Sequence, residues 1–286
     1  MSGPSVAVVL PVRDGADLLP DCLAAVLPQA RALGAEVVVV DDASADGSAA
    51  VAERAGARVL RLDAPSGPYA ARNAGWRSTG ARLVAFTDVR CRPRPGWLQA
   101  LVDADAVLAG GDVHAVAGRD AATRYVARQQ PLSVAHSAAH PVLPYAATAN
   151  LAVRRDALEA VGGFREVRSG GDLDLCWRVQ RAGLGALVVV DGAVVDWQPR
   201  EGLRAVLRQW YRYGAARPVV LSRFAGVAVD PPRGAAREAY LQLRWLGDGL
   251  AGARPGAWPV EVVDRLCQLA YWTGYRRSFR ALGEAS

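Results

Sequence analysis

The 286-residue sequence contains no lysine; all 34 of its basic residues are arginine. Lysine Schiff-base chemistry is therefore excluded, pyridoxal enzymes included, and no Walker lysine can reach a nucleotide phosphate. We ascribe this Ala/Arg-rich, lysine-free composition to a GC-rich coding sequence. Cysteine is scarce: Cys22, Cys91, Cys176 and Cys267 are widely spaced and form no CxxC pair. A reducing, cytoplasmic setting is the expectation. No apolar run approaches the roughly 18–20 residues that cross a bilayer. Met1-Ser2-Gly3-Pro4 leads straight into a strand-like segment, so no signal peptide is expected. Of the three histidines, His136 and His140 have i, i+4 spacing but lack the Glu of a zinc protease. No Gly-x-Ser-x-Gly elbow is present, no Gly-x-Gly-x-x-Gly follows the first strand, and there are no internal repeats. The net charge of +6 suits anionic substrates or a weak hold on an anionic membrane. With no basic stripe or known motif, nucleic acid is not an expected partner.

What is present is apolar and patterned. Hydrophobic residues make up 51% of the chain, enough for one large core or a core with a smaller appendage. Val37-Val38-Val39-Val40 predicts a strand buried on both faces, as in parallel sheets. It ends in Asp41-Asp42 and the turn Ala43-Ser44-Ala45-Asp46-Gly47-Ser48. In open α/β sheets ligands bind beyond the carboxyl ends of strands, where paired carboxylates can read a base or ribose. Helix capping by Asp42 or Ser44 is the plainer alternative. Val6–Leu10 and Leu83–Thr87 predict two more strands, ending in Pro11-Val12-Arg13-Asp14 and in Asp88. Between the strands, helices are expected from about Leu18 (Asp17 as N-cap), over Ser48–Ala55 and over Tyr69–Ser78, with a strand at Arg58–Leu62. This alternation argues for a parallel α/β sheet.

Downstream, a helix is expected over Trp97–Leu108, a strand over Val113–Ala117, and a loop with helical pieces over Arg124–His140. Helices follow at Arg155–Val161 and Asp172–Ala182, and a strand at Ala186–Val190. Beyond Gln198-Pro199 the pattern becomes helical: Leu203–Tyr213, a break at 230–234, then Ala236–Leu250 and Val260–Leu282. Arg208-Gln209-Trp210-Tyr211-Arg212-Tyr213-Gly214 alternates cations and aromatics. It suits closing over a ligand, lying on a membrane, or packing against the sheet.

Several motifs in order carry a family resemblance: Pro11-Val12-Arg13-Asp14-Gly15, Val39-Val40-Asp41-Asp42, Ala71-Arg72-Asn73-Ala74-Gly75 and Phe86-Thr87-Asp88. Thr148-Ala149-Asn150, Val161-Gly162-Gly163-Phe164 and Gly171-Asp172 with Trp177-Arg178 follow. Together they resemble family 2 glycosyltransferases, over about the first three quarters of the chain. The resemblance implies a GT-A fold: a Rossmann-like, mostly parallel α/β sheet flanked by helices. Residues 1–200 would form that domain, with a nucleotide-sugar half to about 98 and an acceptor half from about 99. Residues 201–286 would be a helical C-terminal extension.

The resemblance also implies roles. Pro11, Arg13, Asp41, Asp42 and Arg72 would surround a nucleoside-diphosphate sugar, UDP being the expected nucleotide. Thr148, Asn150 and Trp177 would face the acceptor, Trp177 with a flat apolar face for a sugar ring, although an aromatic in a helix more often belongs to the core. Asp172 would be the general base of an inverting transfer to an acceptor hydroxyl. The family's Asp-x-Asp holds a divalent ion, Mg or Mn. Here the triplet is Asp88-Val89-Arg90, which leaves Asp88 as sole metal candidate and puts Arg90 where a second carboxylate would stand. Arginine is suited to bidentate phosphate contact, so Arg90 could supply part of the ion's charge. The family's Glu-Asp pair is Gly171-Asp172 here, so only the Asp is retained. For Asp172 an N-cap role is compatible with catalysis, and Asp174 is expected in a packing or salt-bridge role. Two other readings stay open: a non-catalytic nucleotide-sugar binder, favoured by the two lost carboxylates, and a nucleotidyltransferase. A peripheral membrane contact through the C-terminal helices is also compatible with the sequence.

Overall fold

The computed structural model describes residues 5–232 and 258–284. The helix expected at Ala236–Leu250 lies outside the described residues. The chain divides into two compact units, residues 1–115 with 130–198, and 116–129 with 199–286.

In the first unit, strands β1 (Val6–Val12), β2 (Glu36–Asp41), β3 (Arg58–Arg61) and β4 (Leu83–Phe86) alternate with helices α1 (Leu19–Ala32), α2 (Ser48–Ala55) and α3 (Pro68–Arg77). After them come β5 (Cys91–Pro93), α4 (Trp97–Asp103) and β6 (Leu108–Ala115). After α5 (Ala121–Gln129), which belongs to the second unit, α6 (Val134–Ala138) leads to a 3-10 turn at Thr148–Asn150. The elements β7 (Leu151–Arg154), α7 (Arg155–Val161), α8 (Gly171–Arg181) and β8 (Leu187–Trp197) complete the order up to residue 198. All eight strands form one sheet, ordered β3-β2-β1-β4-β7-β6-β8-β5. Only β7 and β5 run against the others. The Val37–Val40 run is buried in β2 between β1 and β3, as an apolar run without alternation requires. The chain steps from β1 to β2 to β3, then returns to place β4 on the other flank of β1. That reversal opens a crevice beyond the carboxyl ends of β1 and β4, the switch point where α/β sheets bind ligands.

Gly75 lets α3 lie close on this sheet. A Cβ there would sit 2.5 Å from Val9 Cγ1 and 2.9 Å from Val40 Cγ2. Asn73, two residues earlier, exchanges two hydrogen bonds with the Phe164 backbone, 2.7 and 2.9 Å. The Ala71–Gly75 and Gly162–Phe164 motifs are thereby joined, and their spacing is a packing requirement.

Some expected elements differ. Helix α1 starts at Leu19 without a side-chain cap, because the Gly15 carbonyl accepts from the Leu18 and Leu19 amides; Asp17 is not the N-cap. Helix α4 stops at Asp103, and Leu108 opens β6 five residues before the expected strand. Strand β8 runs on through Asp191-Gly192, with a register irregularity between Gly110 and Asp112. The strands β5 and β7 are too short to show an apolar period.

In the second unit, α5 lies with α9 (Leu203–Leu221) and α10 (Trp258–Glu284). Residues 116–129, assigned from the sequence to the acceptor half, thus pack with the C-terminal helices. Helices α9 and α10 touch backbone to backbone: a Cβ on Gly214 would strike the Tyr271 carbonyl, and one on Gly274 the Tyr211 carbonyl. Trp210 is buried with its ring 5.4 Å from that of Tyr125. That aromatic of the arginine-rich segment therefore packs on a ring of α5. Among the described residues no helix is long and apolar enough to cross a membrane.

Candidate functional site

The ends of β1 and β2 are clamped together by side chains. The Asp14 amide donates to Ser44 Oγ (3.0 Å), the Gly15 amide to Ser48 Oγ (3.0 Å), and the Ala16 amide to Asp46 Oδ2 (2.9 Å). In return the Ala45 amide donates to Asp14 Oδ1 at 2.8 Å. Ser48 donates from both its amide and its hydroxyl to Asp46 Oδ1. Desolvation alone would raise the Asp46 carboxyl, but the bonds from Ser48 and the Ala16 amide hold it below the usual range. Two non-glycine residues, Asp14 (φ 48°) and Ala43 (φ 53°), take the left-handed conformation to make this fit. The sequence reading missed this clamp, although the Ser/Asp spacing after β2 was its signal.

Asp41 and Asp42 are both buried, at 6% and 5% exposure. Neither caps α2, whose N-cap is Gly47. Asp41 accepts from the Ser44 amide at 3.1 Å. Asp42 spans the crevice floor: its two oxygens accept from the Ser66 amide (2.6 Å) and the Gly67 amide (2.9 Å) at the entry to α3. Pro11 is buried within β1, in register with Val40, and Arg13 stands half-exposed beyond the strand, 3.9 Å from the Asp14 carboxylate.

Arg72 reaches the same crevice from α3. It is 3% exposed and pairs with Asp88, while a second guanidinium nitrogen donates to the Pro68 carbonyl at 3.3 Å. Its Nε is buried without a hydrogen-bond partner. The pair with Asp88 is therefore made by a buried guanidinium and is not a surface ion pair. Asp88 keeps partial exposure, and its carbonyl holds the following turn through the Cys91 amide at 2.8 Å. Arg90 lies partly buried in that turn, its carbonyl accepting from the Gln198 amide at 2.9 Å.

Asp172 is the second residue of α8, whose N-cap is Gly170; it therefore caps no helix, and its Oδ1 accepts from the Leu173 amide at 3.0 Å. Desolvation raises its carboxyl above the ordinary aspartate range, while the Leu173 amide and the Arg72 charge pull it down. Asp174 is fully buried and ion-paired with Arg178 (2.8 Å) and Arg165 (3.3 Å), the salt bridge expected of it.

Two acceptor expectations are corrected. Asn150 is fully buried and spent on structure: it accepts from Trp97 Nε1 and donates to the carbonyls of Asp112 and Ala193, each at 2.8 Å. Trp177 is also fully enclosed, with Nε1 donating to the Leu143 carbonyl at 2.9 Å, so its ring offers no face to a sugar. Thr148 is buried in the 3-10 turn at 5% exposure.

A divalent ion finds few ligands here. The Asp88 carboxylate is already engaged by Arg72, and an arginine follows two residues on. Among the described residues no three His, Cys, Asp or Glu side chains gather as a metal set. The residues present do not fit a protein-built divalent site.

Residues 7–162 match the glycosyl transferase family 2, and residues 92–273 the glycosyl transferase family group 2. The pre-mycofactocin glycosyltransferase of Mycobacterium tuberculosis is 34% identical over 267 residues, covering 87% of this chain and 55% of that protein. The chain thus spans about half the length of that curated relative. Glycosyltransferase AglE of Haloferax volcanii is 32% identical over 227 residues, 74% of this chain and 72% of that one. Among solved structures, a mannosyltransferase from Pyrobaculum calidifontis in complex with GDP-Man and Mn2+ is similar with a TM-score of 0.62. Its identity is 20%, over 96% of this chain and 84% of that chain. Glucosyl-3-phosphoglycerate synthase of M. tuberculosis, in complex with Mn2+, UDP-Glc and phosphoglyceric acid, gives 0.58 at 20% identity over 80% and 82%. At these identities the solved structures speak for the GT-A fold, and the sequence relatives for the family. The chain belongs to glycosyltransferase family 2.

Proposed function

We propose that this protein is an inverting glycosyltransferase that moves a sugar from a nucleoside-diphosphate sugar to an acceptor hydroxyl. One observation carries the reading: Asp172, whose carboxyl desolvation raises above the ordinary aspartate range, lies near enough to the Arg72–Asp88 pair to feel both charges. Arg13, Asp41 and Asp42 at the ends of β1 and β2 would receive the base and ribose, with UDP as the expected nucleotide. The GDP-Man and UDP-Glc carried by the similar structures support the donor class. The acceptor oxygen would attack the anomeric carbon while its proton passes to the Asp172 carboxylate. The bond from that carbon to the diphosphate oxygen breaks on the opposite face, and the electron pair leaves with the nucleoside diphosphate. One displacement inverts the centre, and Arg90 would hold the departing diphosphate.

The test is a thermal-shift series with UDP-, GDP- and dTDP-sugars, followed by donor turnover with and without candidate acceptors. A ligand that binds the native state alone raises the melting temperature in proportion to RT ln(1 + [L]/Kd). A shift with turnover supports transfer. A shift without turnover on any acceptor would point to the non-catalytic binder, and no shift at all would sink the reading.

A further inference from the structure

The glycine before Asp172 has no room for a side chain, and what fills its space is Tyr69. A Cβ on Gly171 would lie 2.8 Å from Tyr69 Cε1 and Cζ and 2.9 Å from Cδ1. The ring is 8% exposed and is fixed on its other sides by stacking on Phe164, centroids 5.5 Å apart and 28° between planes. The Arg72 guanidinium carbon stands over the same ring, 5.5 Å from its centroid. Burial, and after it the Asp172 charge, push the phenol up, so it remains neutral. The ring thus has a buried cation 5.5 Å from its centroid and the N-terminus of α8 against its face.

The Arg72 charge is felt at the Asp172 carboxyl. Among the described residues, however, Arg72 is ion-paired with Asp88 and not with Asp172. We propose that Tyr69 is a positioning residue, an aromatic partition that keeps the Arg72 guanidinium on Asp88 and away from the Asp172 carboxylate. This rests on the reading of Asp172 as the base: a carboxylate bridged to a guanidinium would be a poor proton acceptor. Gly171 belongs to the same device, because any larger residue would drive the ring out of place. The charged and titratable groups facing Asp172 are Tyr69 and Arg72 from α3, Asp88 beyond β4, and Cys176 on its own helix. Arg72 is the cation among them that loss of the ring would release towards Asp172.

The test measures the Asp172 carboxyl directly by carbon-13 titration, its signal assigned with Asp172→Asn. Tyr69→Ala should lower the Asp172 pKa by about one unit or more, the effect of an opposite charge arriving within contact distance. Tyr69→Phe, which keeps the ring, should leave the wild-type value. The double variant Tyr69→Ala/Arg72→Gln should undo the drop, which identifies Arg72 as its cause. An unchanged Asp172 pKa in Tyr69→Ala, or a drop that persists in the double variant, overturns the partition. Thermal melts check that each variant folds, and Tyr69→Val replaces the alanine variant if that one does not. Turnover of UDP-glucose by Asp172→Asn separates the two ideas. If that variant turns over normally the base reading fails, whereas the titration still decides whether Tyr69 divides the charges.

Discussion

Replacing Asp42 by alanine should cost both stability and nucleotide affinity, and the stability loss can be sized from its contacts. The carboxylate is 5% exposed and accepts from the Ser66 amide at 2.6 Å and the Gly67 amide at 2.9 Å. Hydrogen bonds to a charged group contribute about 1.5–3 kcal/mol each when both sides are protected from water. Ser66 is exposed and Gly67 partly so, which lets water replace the lost acceptor at both amides. Discounting for that, the two bonds together should be worth about 2 kcal/mol. For a chain of this size that corresponds to a fall of roughly 4–8 °C in melting temperature. Asp42→Asn keeps an acceptor oxygen for one amide and should lose about half as much. Differential scanning calorimetry of the nucleotide-free proteins reads this without any ligand. A melting temperature within 1 °C of wild type would refute the reasoning, because it would mean the two amides are equally content with water (about 0.3 kcal/mol on the same scale).

Asp172→Asn should lower turnover by roughly 10²–10⁴-fold with donor binding intact, the range for loss of a general base. Since the folded carboxyl titrates above its unfolded value, the native state binds more protons there and stability falls as pH rises through that window. The variant should therefore melt no lower than wild type at neutral pH, and the wild-type rate should rise with pH through a midpoint above the ordinary aspartate value. Arg90→Ala should weaken UDP-sugar binding by about one to two orders of magnitude, as expected for one charge-assisted phosphate contact. Isothermal titration in EDTA should find wild-type binding largely preserved; binding that vanishes in EDTA and is normal in Arg90→Ala with Mn2+ would return the role to a metal on Asp88. Gly75→Ala should destabilise by about 1–3 kcal/mol through overpacking, measured by urea unfolding, since its Cβ would press on Val9 and Val40.

What was legible in the sequence is what local chemistry decides. The β-branched run of β2, the bounds of α2 and α7, and the order of the strand-end motifs all follow from residues near one another in the chain. The rest depends on partners far away. The oxygens of Asp42 find amides 24 and 25 residues on, so its structural role could not be separated from a ligand role by spacing. Asn150 and Trp177 belong to motifs that suggested an acceptor surface, but the carbonyls of Asp112, Ala193 and Leu143 claim their polar atoms inside the core. The absent carboxylate at position 171 was visible from the start. The Tyr69 ring that fills the space of a side chain there was not, because tyrosine and glycine are far apart in the chain.

The clamp between the ends of β1 and β2 bears on the kinetics of recognition. A loop that orders only when its ligand arrives loses conformational freedom at that moment, about 1–2 kcal/mol for each residue fixed. Here residues 14–16 are tied to residues 44–48 by the chain's own side-chain bonds, in an arrangement that holds two non-glycine residues left-handed. The nucleotide would meet a rigid surface, so its capture should be limited by diffusion and orientation instead of by waiting for a rare conformation. Discrimination between bases would then reside in how quickly the wrong nucleotide leaves.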